Sequence, residues 1–193
     1  MRKSSHDRAG ANLCRRGFMR QLGAVGLGLA AVRVALAGDA ERRTLSFVHT
    51  HTGEQLTTEY YSGGDYCADE LQRVNVLLRD FRNDQVFPID PKVLDRLYYL
   101  RSMSGGSEPF QVISGYRSAA TNAALRARSN GVAEHSLHME GRAIDVRLPG
   151  VATATLARMA LQQSCGGVGL YRVSDFVHVD TGRVRCWGDP IDA

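Results

Sequence analysis

Several features are scarce in this 193-residue chain, and each scarcity excludes something. Aromatic residues make up 7% of it, with one tryptophan, and there are five prolines. Against 44% hydrophobic and 23% charged residues, that composition is globular rather than proline-rich or disordered. The four cysteines, Cys14, Cys67, Cys165 and Cys186, include no C-x-x-C pair, which argues against a cysteine zinc site. The longest apolar run, Leu22 to Val32, is too short for a transmembrane helix and is interrupted by Arg33. There is no fixed-period repeat, no low-complexity tract, no second domain, and no Ser-His-Asp or Cys-His set of the kind used in nucleophilic catalysis. A global basic excess is also absent. Although the formal charge is +4, residues 1–37 hold seven Lys/Arg and one acid, leaving 17 basic and 19 acidic groups from Gly38 onward. A nucleic-acid partner is therefore not expected.

The basic start reads as a targeting segment. Arg15 and Arg16 precede Phe18, a short Gly/Ala-rich apolar stretch follows, and Ala35-Leu36-Ala37 supplies a small-residue cleavage site. The arrangement resembles a twin-arginine export signal, an address rather than an anchor. The expected division is a signal over 1–37 and one domain over 38–193, with cleavage after Ala37 and an uncleaved, tethered form both open. Export permits disulfides, and Cys165 with Cys186 is the expected pair because both lie near the C-terminal strands.

The periodicities predict an α+β domain, with helices packed on a small, mainly antiparallel sheet. "TLSFVHT" and "QLTTEYY" flank a turn at His51–Glu54 and read as a hairpin. "CADELQRVNVLLRDFR" and "DPKVLDRLYYLRSM" carry apolar residues at helical spacing, the second opening with Asp90 as N-cap and Pro91 at the first helical position. "PFQVISGYRS", "AIDVRL", "GGVGLY" and "FVHVDTG" read as strands, and "AATNAALRAR" and "TATLARMALQQ" as helices. "CWGDPIDA" reads as a loosely held tail, with Trp187 packing back.

The stretch "HSLHMEGRAIDVRL" sets His138 seven residues before Asp145, and "SDFVHVD" offers His178 on a short apolar strand. A catalytic zinc site needs three protein ligands and one open position, and imidazole nitrogen with carboxylate oxygen suits it, though His2Asp alone tolerates other divalent ions. The small residues Gly141 and Ala143 are expected to let the backbone pass close to the ion. His135 is expected at the rim, Glu134 and Glu140 in solvent with Glu140 near the groove, and Tyr116 and Tyr171 either lining the groove or packing at the core edge. His49 and His51 read as structural.

H-x-x-G-x-A-x-D followed by a later histidine resembles the zinc peptidases of the LAS group, which includes D-alanyl-D-alanine carboxypeptidases, VanX-like dipeptidases, phage endolysins and the hedgehog N-domain. "HTGE", "LLRDFR", "ISGYRS…TN", "GVGLY" and "FVHVDTG…W" are similar, more narrowly, to the YcbK-like murein endopeptidases, over roughly Leu45 to Trp187. The resemblance implies one zinc ion on His138, Asp145 and His178, Arg117 near the reacting carbonyl, and Asp175, three residues before His178, as general base. Asp180 is the alternative base, because residues 178 and 180 of an extended strand share a face. The implied activity is hydrolysis of peptide crosslinks of peptidoglycan in the periplasm. A D,D-carboxypeptidase and an inactive metal-bearing binding module remain as alternatives. No sequence feature bears on oligomeric state.

Overall fold

A computed structural model describes residues 41–129 and 131–191. The expected signal at 1–37 and Cys14 lie outside the described residues. The elements run β1 (Arg42–His49), β2 (Gln55–Ser62), β3 (Asp65–Tyr66), α1 (Ala68–Leu77), α2 (Pro91–Ser104), β4 (Phe110–Ser114) and α3 (Ala119–Arg126). After a single 3-10 turn, Leu137–Glu140, come β5 (Ala143–Arg147), α4 (Thr153–Gln162), β6 (Gly167–Tyr171), β7 (Phe176–Asp180) and β8 (Arg185–Gly188). The strands form one sheet in the order β3-β2-β1-β4-β5-β7-β6-β8. The α+β class is as expected, and the pairings are mainly antiparallel, but β1–β4 and β6–β8 are parallel. The helices are interspersed with the strands.

Alternation along the central strands sorts the side chains. Ile144, Val146, Val177 and Val179 join the core with Leu94, Leu97 and Leu100 of α2 and Leu156 of α4. Each such fully buried aliphatic side chain contributes about 1.5–3 kcal/mol. The intervening residues, Asp145 on β5 and His178 and Asp180 on β7, are thereby turned to the opposite face. Register finishes the placement, since Asp145 pairs directly with His178 and also faces Ser114 of β4.

The helix starts follow local chemistry. Asp90 accepts from the backbone N of Lys92 at 3.0 Å, and Pro91 follows, as the sequence predicted. Asp90 also accepts from the Thr181 hydroxyl at 2.8 Å, which fastens the start of α2 to the end of β7. The first predicted helix stops at Leu77 instead of running to Phe81 and Arg82. The cause is distant in sequence: the buried Asp80 carboxylate accepts from Ser118 N at 3.0 Å, Ser118 Oγ at 2.7 Å and Arg82 N at 3.2 Å. A turn is required there, and an isolated bridge between Asp80 and Gln85 closes it.

Two further expectations are corrected. "RCWG" is the edge strand β8, not a tail, and Trp187 lies over Gly169, where any Cβ would come within 2.8 Å of the indole. Cys67, Cys165 and Cys186 are all free thiols. Parallel register sets Cys186 opposite Val168, while Cys165 lies before β6, and the expected pair is not formed. No described helix is long and apolar enough to cross a membrane.

Candidate metal centre

His138, Asp145 and His178 converge on one point. His138 sits in the 3-10 turn that precedes β5. The turn is capped by Ser136, whose hydroxyl accepts from His138 N at 3.4 Å, and closed by Gly141 in the left-handed conformation. Gly141 is required by contact as well as by φ, since a Cβ would meet the Pro88 carbonyl oxygen at 2.1 Å. Its smallness therefore serves packing against the segment before α2, not approach to an ion. Ala143 pairs with Asp180 on β7.

The outward hydrogen bonds fix which nitrogen of each imidazole faces inward. His138 Nδ1 lies 2.7 Å from the Gly115 carbonyl oxygen, which can only accept, so Nδ1 carries the proton and Nε2 presents a lone pair. His178 Nε2 lies 3.1 Å from Asp180 Oδ2, which leaves Nδ1 turned inward. Those two inward nitrogens are 3.1 Å apart, and Asp145 Oδ1 lies 3.2 Å from one and 2.9 Å from the other. The three residues are only 2, 5 and 9% exposed, in the order His138, Asp145, His178. Three electron-pair donors facing one another in a dry site are unfavourable unless a cation sits among them. The donor set therefore fits a divalent ion of the zinc class.

The electrostatics agree. Burial opposes charge on both imidazoles. It prevails on His138 and holds its pKa below the ordinary value. On His178 the hydrogen bonds it makes to the Asp145 and Asp180 carboxylates outweigh it and raise the pKa. Burial would likewise raise the Asp145 pKa, but the neighbouring His138 and His178 hold that carboxyl well below the usual range.

Asp180 is fully buried and fully engaged. Besides His178, its carboxylate accepts from Gly167 N at 2.9 Å, Gly182 N at 2.8 Å and Arg185 NH2 at 2.7 Å. Burial works against its charge, but these donors prevail and hold its pKa down. On the core side, the buried Arg96 guanidinium of α2 donates to the carbonyl oxygens of Gly167 and Asp180, so the strand ends are clamped from both faces. Asp180 is thereby an anchor for the His178 ring, as a carboxylate behind a metal-facing histidine commonly is. Asp175 lies elsewhere. It occupies the β6–β7 turn with φ 51°, accepts from Arg147 NH1 at 3.1 Å and from the Thr153 hydroxyl, and is not among the residues lining the cavity above the cluster.

That cavity has a volume of about 570 Å³ and has the three converging residues in its floor. One wall is formed by Ser129 and by the 131–137 segment with His135, and the other is aromatic. Tyr171 stacks on Phe176 at 4.5 Å, Trp187 Nε1 donates to the Tyr171 hydroxyl at 2.9 Å, and the indole stands 5.0 Å from the His178 ring. Arg117 reaches the cavity from the turn after β4. Among the described residues its buried Nε has no hydrogen-bond partner, and its other nitrogens make long contacts, 3.5 Å to Asn122 Oδ1 and 3.6 Å to Asp145 Oδ2. Tyr116 is not in the cavity; it stacks on Phe87 at 4.8 Å. Glu140 pairs with Arg142 and Glu134 with Arg126. A larger cavity of about 940 Å³ beside α2 contains no comparable cluster.

Sequence reasoning passed over Asn122, Arg185 and the Gly115 carbonyl. Asn122 is buried and donates to the carbonyl oxygens of Ala133 and Glu134 at 3.1 and 3.3 Å, pinning the cavity loop to α3. Its signal was an amide on the otherwise small, apolar "AATNAAL" helix.

Comparison with known proteins places the chain. The family model described as "Peptidoglycan L,D-endopeptidase MepK", a peptidase M15 model, matches residues 37–187. The chain is 42% identical to the peptidoglycan L,D-endopeptidase MepK of Escherichia coli K12 over 86% of this chain and 93% of that protein, with the same figures for the Shigella flexneri protein. It is 38% identical to a probable peptidoglycan L,D-endopeptidase MepK of Haemophilus influenzae, over 86% and 91%.

Removing the Asp180 carboxylate strands His178 Nε2, Arg185 and two backbone N–H groups at once. Asp180→Ala should therefore cost about 3–5 kcal/mol in urea unfolding of the metal-free protein. A loss below about 1 kcal/mol would show that the anchor is not needed.

Proposed function

Because the chain belongs to the peptidoglycan L,D-endopeptidase MepK family of M15 metallopeptidases, we propose that it is an exported zinc hydrolase that cuts peptide crosslinks of peptidoglycan. The activity for which the relatives are named favours L,D crosslinks as the bond cut. The observation that carries the reading is the convergence of three inward-facing electron pairs, from His138 Nε2, His178 Nδ1 and Asp145 Oδ1, in the floor of a cavity. In this proposal, those three residues hold the zinc. When bound, zinc supplies Lewis-acid polarisation of the scissile carbonyl and lowers the pKa of a water towards about 7.

The chain's own residues do the remaining work. Gly115 and Asp180 hold the two imidazoles in the tautomers that keep the inward nitrogens bare. Arg117, with donors left over, stabilises the negative charge that develops on the carbonyl oxygen. The aromatic wall of Tyr171, Phe176 and Trp187 excludes water from one side and supports the peptide chain. Residues 1–37 act as a twin-arginine signal that delivers the domain at 38–193 to the periplasm, where the substrate lies.

Purified murein sacculi rich in L,D crosslinks should be solubilised by the protein, spared after chelation, and solubilised again when zinc is returned. His138→Ala and His178→Ala should fail to retain zinc on elemental analysis, and full zinc in either would refute the ligand set. The export route has its own check: changing Arg15 and Arg16 together to Lys should leave the precursor in the cytoplasm, and normal export of that variant would exclude the twin-arginine reading.

A further inference from the structure

Amide hydrolysis needs a group that removes a proton from the attacking water and returns one to the departing amine. Neither carboxylate suggested by the sequence is placed to do so. Asp180 is buried with its acceptor positions occupied by His178, Arg185 and two backbone N–H groups. Asp175 is turned to Arg147 and Thr153 and does not line the cavity. Of the titratable side chains that do line it, His138, Asp145 and His178 make up the converging set, Arg117 and Arg185 are cations, and the Tyr171 oxygen already accepts from Trp187. His135 remains.

His135 lies on the cavity wall, exposed, and its ring makes no hydrogen bond to any described residue. Its backbone is nonetheless held. Asn122 donates to the carbonyl oxygens of the two preceding residues, Ala133 and Glu134. The next residue, Ser136, caps the turn that carries His138, and Arg117 N donates to the His138 carbonyl at 3.1 Å. A free imidazole on a fixed loop, on the wall of the cavity whose floor holds the three converging residues, has a nitrogen that can accept a proton and return it.

We propose that His135 is the general base and acid of this site, a role that rests on the zinc-hydrolase reading above. Its imidazole takes a proton from the attacking water as the water oxygen bonds to the scissile carbonyl carbon. The C–N bond then breaks, its electron pair stays on nitrogen, and the imidazolium delivers the proton to that nitrogen. One water is consumed, and His135 returns to its starting state.

The test compares wild type, His135→Ala and Asp175→Asn on L,D-crosslinked sacculi, with zinc content, sacculus binding and thermal melting measured on each. His135→Ala should keep its zinc, its fold and its sacculus binding and lose turnover by about 100- to 10,000-fold. Free imidazole in the assay should restore part of that loss, as a purely structural role would not allow. Asp175→Asn should stay near wild-type turnover. The proposal is overturned if His135→Ala retains turnover, if it loses zinc along with activity, or if its loss resists imidazole. It is overturned too if Asp175→Asn is the zinc-loaded dead variant. A zinc-loaded wild type that leaves sacculi intact would instead refute the hydrolase reading itself, a result separable from any behaviour of His135.

Discussion

The mutual proximity of three potential electron-pair donors is the constraint that the rest of the site is built to satisfy. His138 Nε2, His178 Nδ1 and Asp145 Oδ1 lie within 2.9–3.2 Å of one another. In a site this buried such a cluster is costly by itself and favourable around a cation. Folding energy elsewhere holds it together. The apolar residues alternating with these on β5 and β7 are committed to the core, so neither strand can slip by one residue without exposing Ile144, Val146, Val177 and Val179.

The surrounding polar contacts fix direction rather than position. A carbonyl oxygen behind His138 and a carboxylate behind His178 choose opposite ring nitrogens for the inside of the site. That asymmetry follows from local backbone. His138 comes from a 3-10 turn lying against the Gly115 turn, whereas His178 projects from a strand whose next same-face residue is Asp180. Arg96 and Arg185 then grip Asp180 through its carbonyl and its carboxylate, from opposite sides of the sheet. An arginine buried in the α2 interface thus contributes to the geometry of the three-residue cluster through Asp180.

Much of this was legible in the sequence, for identifiable reasons. Period-2 and period-3.6 patterns, the Asp90-Pro91 start and the His51–Glu54 turn are local signals, and the elements they predict are present. The spacing of His138 and Asp145, with His178 on a strand, was enough to mark three residues that the fold brings into one cluster. What escaped depends on partners far along the chain. The end of α1 is set by Asp80 bonding to Ser118, 38 residues away. The strand β8 exists because a parallel partner, β6, offers glycine where Trp187 must lie. Same-face alternation put Asp180 near His178 correctly. It did not reveal that Gly167, Gly182 and Arg185 also bond to that carboxylate.

The central claim is the inward trio and its choice of nitrogens, and diffraction from crystals of the zinc-loaded protein tests it directly, with anomalous data at the zinc absorption edge. The account predicts one strong anomalous peak per chain, bonded to Nε2 of His138, Nδ1 of His178 and a carboxylate oxygen of Asp145, with His135 unligated beside it. A peak bonded to His135, or to His178 through Nε2 with the Asp180 contact broken, would contradict it.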